Sequence, residues 1–193
     1  MVGRIWARVK VGPRVRLEAA TVVDAPASIV FRFFQQLDHL RLLSAGRRRE
    51  WCPQQGALLA VGVAQEVRIQ QGRHSLLVHF KTLRLEPHRL IEDEFSSWPL
   101  KGARRVLALE PQGAQTRVCE SNVWDPPWYA RGMVEKHEAE QRQFFVAKLN
   151  HAKQVIEAVY SVCGADAFLH GVLPDAVRAG LPLMVPLDPP APA

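Results

Sequence analysis

The sequence predicts an α+β fold: a seven-stranded curved antiparallel sheet wrapped around a long C-terminal helix, with two short helices closing one end. Three observations lead there. Residues 47–124 carry six runs of strand character in direct succession, divided by turn residues. A seventh run, 14–23, precedes them, and residues 129–161 contain no proline and carry an apolar stripe at helical spacing. Strands joined by short turns pair antiparallel, because parallel neighbours need a crossover of about a dozen residues or more.

The first expected strand is "RVRLEAATVV" at 14–23, and the residues before Arg14 read as an N-terminal extension. Pro26 suits the first turn of a helix, where its missing N–H costs nothing, and Asp24 places negative charge near that end. This helix runs to about Gln36, with Ala27, Val30, Phe33, Phe34 and Leu37 spaced three and four apart. A second short helix is expected over Asp38–Leu43, ended by Ser44-Ala45-Gly46. The six further strands are expected at 47–52, 61–70, 73–86, 89–97, 102–110 and 116–124, with "PQGAQ" at 111–115 as the last turn.

Asp125-Pro126-Pro127 stops the last strand, and the long helix follows. Val134, Glu138, Gln141, Phe145, Leu149, Ala152, Ile156 and Val159 share one of its faces. From about residue 163 the chain becomes proline-rich, with enough Leu, Val and Met to dock. The expected division is therefore an extension at 1–13, a domain at 14–162 and a C-terminal extension at 163–193.

Composition narrows the function classes. The chain has 193 residues, is 48% hydrophobic and 23% charged, and carries a formal charge of +6. That is ordinary globular composition with room for a sizeable core. No apolar run approaches the roughly 20 residues that span a bilayer. The basic N-terminus lacks the apolar core of a signal peptide, so a cytoplasmic protein is expected. The cysteines, Cys52, Cys119 and Cys163, lack metal spacing and are expected as reduced thiols. The histidines show no HxxxH, HxH or HExxH pattern, so a dedicated zinc site is not expected, and no cofactor is expected. Basic residues are dispersed without interleaved aromatics, which argues against a specific nucleic-acid site.

An antiparallel sheet must bury one face, and one long helix is the only large element available to cover it. A helix of ~30 residues spans about 45 Å, enough to cross a strongly curved sheet. A sheet curved that way cannot touch the helix everywhere, so the short helices must close the gap. This accounts for the grease on nearly every side of 26–36: Val30, Phe33 and Phe34 meet sheet and helix, while Ile29 or Phe31 faces the enclosed space.

"VVDAP" with the Phe-rich helix, "LEPHRLI", "SWPLKGARRVLALEP", "AQTRVCESNVWDPP" and the final helix occur in an order that resembles the SRPBCC superfamily. These are the START and birch-pollen-allergen-like proteins of helix-grip fold, and the likeness covers about residues 14–160. The nearest flavour is the bacterial polyketide cyclase/dehydrase and lipid-transport-like group. The resemblance implies an internal cavity for a small hydrophobic ligand.

Alternation selects the lining, since every second strand residue shares a face. Arg105 falls with Leu107 and Leu109, and Glu120 falls with Val118, Asn122 and Trp124. If the 111–115 turn joins these strands as a hairpin, Arg105 opposes Glu120. The pair reads either as an ordinary cross-strand ion pair or as a polar anchor at one end of an apolar pocket. In 73–86, Leu76, Val78 and Phe80 share a face; in 61–70, Val61, Val63, Val67 and Ile69 do. The acids of "LIEDEF" read as a solvated strand, although Asp93 falls with Ile91 and Phe95. Glu138 and Gln141 interrupt the apolar helix face, which predicts a cavity mouth beside them. The expected ligand contacts are Phe31, Phe80, Leu107, Trp124 and Phe145, with Arg105, Glu120, Asn122, Glu138 and Gln141 as polar groups.

No G-x-S-x-G, phosphate loop or positioned Cys/His pair marks a nucleophile. The leading expectation is binding of a lipid, isoprenoid, polyketide or aromatic molecule for transport, sensing or presentation. The alternatives are a polyketide cyclase/aromatase or dehydratase-type enzyme using the same cavity, and a protein-interaction module with a vestigial cavity. The C-terminal extension is expected to dock on the outside or to form a homodimer.

Overall fold

The computed structural model describes residues 6–10, 14–37, 39, 43, 48–52, 58–71, 74–97, 100–126 and 138–169. Within them the chain forms strands β1 (Trp6–Lys10) and β2 (Val15–Val23), helix α1 (Ala27–Gln35), and strands β3 (Arg48–Cys52) and β4 (Ala64–Gln71). Strands β5 (His74–Glu86), β6 (Leu90–Phe95), β7 (Arg104–Gln112) and β8 (Gln115–Trp124) follow, then helix α2 (Glu138–Cys163) and the short α3 (Asp166–Leu169).

All the strands join one open sheet in the order β1-β2-β8-β7-β6-β5-β4-β3, and every pairing is antiparallel. Six inner strands lie between the two edge strands β1 and β3. The expected count of seven is thus corrected: Trp6–Lys10, expected in the extension before Arg14, pairs with β2 from Trp6↔Ala20 to Lys10↔Arg16. The architecture is α+β, an open antiparallel sheet with a long C-terminal helix, consistent with a helix-grip type of fold.

Alternation works as expected on most strands. Val15, Leu17, Ala19, Thr21 and Val23 of β2 are buried, as are Leu107 and Leu109 of β7 and Val118 of β8. Of these, Leu17, Ala19, Val23, Leu107, Leu109 and Val118 join one hydrophobic cluster with Phe145, Leu149, Ala152, Val155, Ile156 and Val159 of α2. Two expectations on 61–70 fail. Val61 and Val63 are 58% and 46% exposed and precede β4, where Gly62 makes a turn with positive φ. Only from Ala64 does the segment pair with β5, so only there does alternation select a buried row.

Helix α1 begins as Pro26 allows, its carbonyl accepting from the amides of Ile29 and Val30. Ala27, Ile29, Val30, Phe31, Phe33 and Phe34 are all buried, whereas Ser28 is exposed and Arg32 and Gln35 are half-buried, so the helix is enclosed on every side except one narrow polar stripe. The helix expected at 38–43 falls mostly outside the described residues, as does the part of the long helix before Glu138. Two polar contacts among the described residues fasten helix α2 to the end of β2: Lys153 Nζ donates to the Val22 carbonyl at 2.7 Å, and Glu157 accepts from the amide of Asp24, the residue after β2, at 2.7 Å.

The core does not end with α2. Phe168 of α3 is fully buried in the main cluster, and its carbonyl accepts from Gln36 Nε2 at 3.1 Å and Arg32 Nε at 3.3 Å. The folded unit therefore extends past residue 162. The remainder of the C-terminal extension, with its expected docking or dimer role, lies outside the described residues. No described helix is long and apolar enough to cross a membrane.

Candidate functional site: a buried charged cluster on the inner sheet face

Register decides which polar side chains meet on the inner face. The β7–β8 hairpin turns on two residues, Gly113-Ala114, with Gln112 opposite Gln115. Gly113 has a φ of 66° and occupies the first central position, where a type II′ hairpin turn needs a positive φ. The strands therefore run further toward the turn than a five-residue loop at 111–115 would allow. Arg105 lies opposite Asn122, and Leu107 lies opposite Glu120. The expected Arg105–Glu120 opposition is corrected by two residues, a shift that keeps both side chains on the same face.

One inner row reads Thr82, Asp93, Arg105, Asn122, Leu17 across β5, β6, β7, β8 and β2. The next reads Ile91, Leu107, Glu120, Ala19. Asp93, fully buried, is the partner that Arg105 takes. Thr82 Oγ1 donates to Asp93 Oδ1 at 2.8 Å, and Arg105 Nε donates to Oδ2 at 2.8 Å with Nη2 on the same oxygen. Glu120 takes its partner from above the sheet. Lys148 of α2, itself buried, donates from Nζ to Glu120 Oε1, and its ammonium also stands 5.3 Å from the centre of the Phe145 ring.

Two acids and two bases thus lie on the inner face in a charge-balanced set. Burial alone would push Glu120 toward its neutral form. The positive charges of Lys148 and Arg105, aided by hydrogen bonding from Lys148 and by the nearby Asn122 amide, outweigh burial and hold its carboxyl below the usual range. Burial likewise opposes the charge on Arg105, and Asp93 and then Glu120 overcome it, so its guanidinium is held more firmly protonated. Among the described residues, no hydrogen bond of good geometry closes on Glu120 Oε2. A buried ionised oxygen with an open acceptor position is uncommon, since leaving it unmet costs about 1–3 kcal/mol.

The other expected contacts lie on the sheet or on the helices. Phe80 packs against Phe95, with ring centres 5.8 Å apart. Phe31 meets the edge of His88, in the β5–β6 turn, at 5.9 Å. Trp124, at the end of β8 and opposite Val15, packs on the main cluster. Phe145 and Leu107 lie beside Lys148 and Glu120 respectively. The side chains of Glu138 and Gln141 lie outside the described residues, and with them the expected cavity mouth.

Asp93 and Lys148 belong to the cluster and were not among the expected contacts. Asp93 was visible as the one acid of "LIEDEF" sharing a period-two face with Ile91 and Phe95. Lys148 was visible as the position three after Phe145 and four before Ala152, within the apolar stripe.

The set is better suited to holding than to proton transfer. A carboxylate held below its usual range is a weak base, and a guanidinium does not give up its proton at neutral pH. Cys119 offers no nucleophile either, because burial pushes its thiol up despite nearby Arg117.

No family model matches this chain, and no curated protein matches it. Solved structures do. A structural-genomics target from Rhodobacter sphaeroides superposes with a TM-score of 0.59 at 12% identity, over 83% of this chain and 99% of that one. A protein from Chromobacterium violaceum gives 0.54 at 18% identity, over 74% and 97%. The Aha1 dimer from Colwellia psychrerythraea gives 0.55 at 14%, over 74% and 96%. These likenesses concern the fold: small bacterial proteins in which a sheet is combined with a helix.

Proposed function

We propose that this chain is an SRPBCC-type binding protein that holds a small hydrophobic ligand between α2 and the inner sheet face, for transport, sensing or presentation. The observation that carries the reading is the buried Asp93–Arg105 and Glu120–Lys148 set beside a largely apolar wall, with one Glu120 oxygen unmet among the described residues. A domain that needed only a core would do as well with aliphatic side chains there, since replacing a buried ion pair by apolar residues is often neutral or stabilising. Binding proteins use such a mix, with apolar walls for affinity and few polar groups for orientation. The ligand classes are lipids, isoprenoids, polyketides and aromatics, met by Phe80, Leu107, Trp124 and Phe145.

The cyclase or dehydratase alternative needs a proton carrier tuned near neutrality, and the ionised Glu120 is tuned away from it. Native mass spectrometry of protein purified from its own host, with a thermal-shift screen of fatty acids, isoprenoid alcohols and flavonoid-like aromatics, tests the proposal. A co-purifying small molecule, or stabilisation by one of these classes, supports it. No bound mass and no stabilisation by any class would overturn it.

A further inference from the structure

We infer that the polar end of this ligand is an uncharged hydrogen-bond donor, an alcohol or a phenol, received by Glu120 Oε2. The inference rests on the binding reading above and follows from counting which polar atoms of the buried set are already engaged. Asp93 uses Oδ1 for Thr82 and Oδ2 for Arg105. Arg105 turns Nε and Nη2 to Asp93, and Lys148 turns Nζ to Glu120 Oε1. Oε2 of Glu120 is left: it is buried, and among the described residues, the nearby Asn122 amide included, none closes a hydrogen bond of good geometry on it. Among the buried atoms of the four charged side chains, the one left without a hydrogen bond is therefore an acceptor.

The surroundings fit a small polar end attached to an apolar body. Glu120 is flanked in its row by Leu107 on β7 and Ala19 on β2, with Ile91 beyond Leu107. Ala19, the smallest side chain of that row, is buried in the main cluster under α2. A hydroxyl at Glu120 meets the acceptor while its carbon skeleton lies along aliphatic side chains.

Charge decides against the other head groups. Asp93, Arg105, Glu120 and Lys148 sum to zero, and all are largely withdrawn from water. A carboxylate would add an unbalanced negative charge beside Glu120 while the nearby cations already have partners. An ammonium would add an unbalanced positive one. An ether or ester offers only acceptors to an acceptor and leaves Oε2 unmet. A hydroxyl satisfies Oε2 without changing the net charge.

The test uses the full chain and matched ligand series with eight, twelve and sixteen carbons. Each length is supplied as primary alcohol, methyl ether, carboxylic acid and amine, below its aggregation concentration, and binding is measured by titration calorimetry at neutral pH. The alcohol is expected to bind about tenfold more tightly than each analogue at the best chain length, the size of one hydrogen bond to a charged acceptor. Equal or tighter binding by the acid, ether or amine overturns the inference and leaves the binding reading standing. Failure of these twelve compounds together with a host-derived, hydroxyl-free ligand found by native mass spectrometry also overturns it. Failure of every compound with no host-derived ligand overturns the binding reading and the inference with it. In Glu120→Gln the alcohol-to-ether ratio is expected to fall below about threefold, because a neutral acceptor bonds less strongly. An unchanged ratio in a folded variant overturns the assignment to Glu120, and if the variant does not fold, the wild-type series alone decides.

Discussion

Arg104 and Arg105 are consecutive residues of β7 with the same chemistry and opposite surroundings. Arg104 points outward, is 56% exposed, and approaches Glu92 at 3.5 Å and Glu94 at 3.7 Å. Arg105 points inward, is 15% exposed, and meets a fully buried Asp93. The outer face repeats the first pattern with Arg117–Glu110 and Arg16–Glu18, and the inner face repeats the second with Lys148–Glu120. One turn of the pleat thus separates ion pairs that water screens from ion pairs that water barely reaches. The difference shows why a list of salt bridges says little about this protein until each is assigned a face.

The contrast is broken most directly at its buried end. Lys148→Met leaves the Glu120 carboxylate buried without its cation, and a loss of about 3–5 kcal/mol is expected in urea unfolding at pH 7. Adding Glu120→Leu should recover most of that loss, because the pair is then gone from both sides. A single variant that loses less than about 1 kcal/mol would show that water reaches the inner face, and the two faces would cease to differ.

A similar contrast of burial runs along the C-terminal stretch. Phe168 is fully buried and Val162 is 77% exposed, although only six positions separate them. Phe168→Ala should cost about 3 kcal/mol or more by opening a cavity in the main cluster, and Val162→Ala less than about 0.5 kcal/mol. Equal effects, read from thermal midpoints, would detach α3 from the core.

Protonation sharpens the comparison at lower cost. Glu120 is held below the ordinary glutamate value of about 4.3 by Lys148 and Arg105 against the pull of burial. Its contribution to stability is therefore present above that value and is lost as pH falls through the lowered one. Against the neutral double variant Glu120→Gln/Lys148→Met, the wild type should lose on the order of 1 kcal/mol of relative stability between pH 5 and pH 3. A gap that stays constant or widens on acidification would contradict the ionised state of Glu120.

Much of this was legible in the sequence, for reasons that individual residues make plain. Strands β2 and β5 to β8 were readable because alternation is strict where one face is buried, and Pro87 and Gly113 mark turns between them. The Phe-rich helix was readable as a largely enclosed element because Ile29, Val30, Phe31, Phe33 and Phe34 leave only the narrow stripe of Ser28, Arg32 and Gln35 polar. Edge strand β1 was missed although Ala7 and Val9 alternate with Arg8 and Lys10; an edge strand pairs on one side, and its basic residues resemble those of a tail. Pairing partners were harder still. Asp93 was taken for a solvated acid because its neighbours Glu92 and Glu94 are outward-facing acids, and a one-residue difference in phase reverses the environment. The Glu120–Lys148 contact joins a strand to a helix 28 positions on, a separation that no local period encodes.

The smallest expected effect tests the exposed end. Arg104→Ala removes both approaches to Glu92 and Glu94, yet the guanidinium is more than half exposed and its contacts are 3.5 and 3.7 Å long. Such pairs gain little in high dielectric and lose side-chain entropy in forming, so the expected cost is under about 0.5 kcal/mol. Salt separates this from a hidden packing role. The screening length falls from about 10 Å at 0.1 M to about 3 Å at 1 M, so the small Arg104 effect should vanish at 1 M sodium chloride. The Lys148→Met effect should remain largely intact there, since ions in solution do not enter between α2 and the sheet. An Arg104→Ala cost above about 1 kcal/mol that persists in 1 M salt would mean that its aliphatic stem covers apolar surface. The outer face would then contribute to the core, and the simple division between the two faces of β7 would fail.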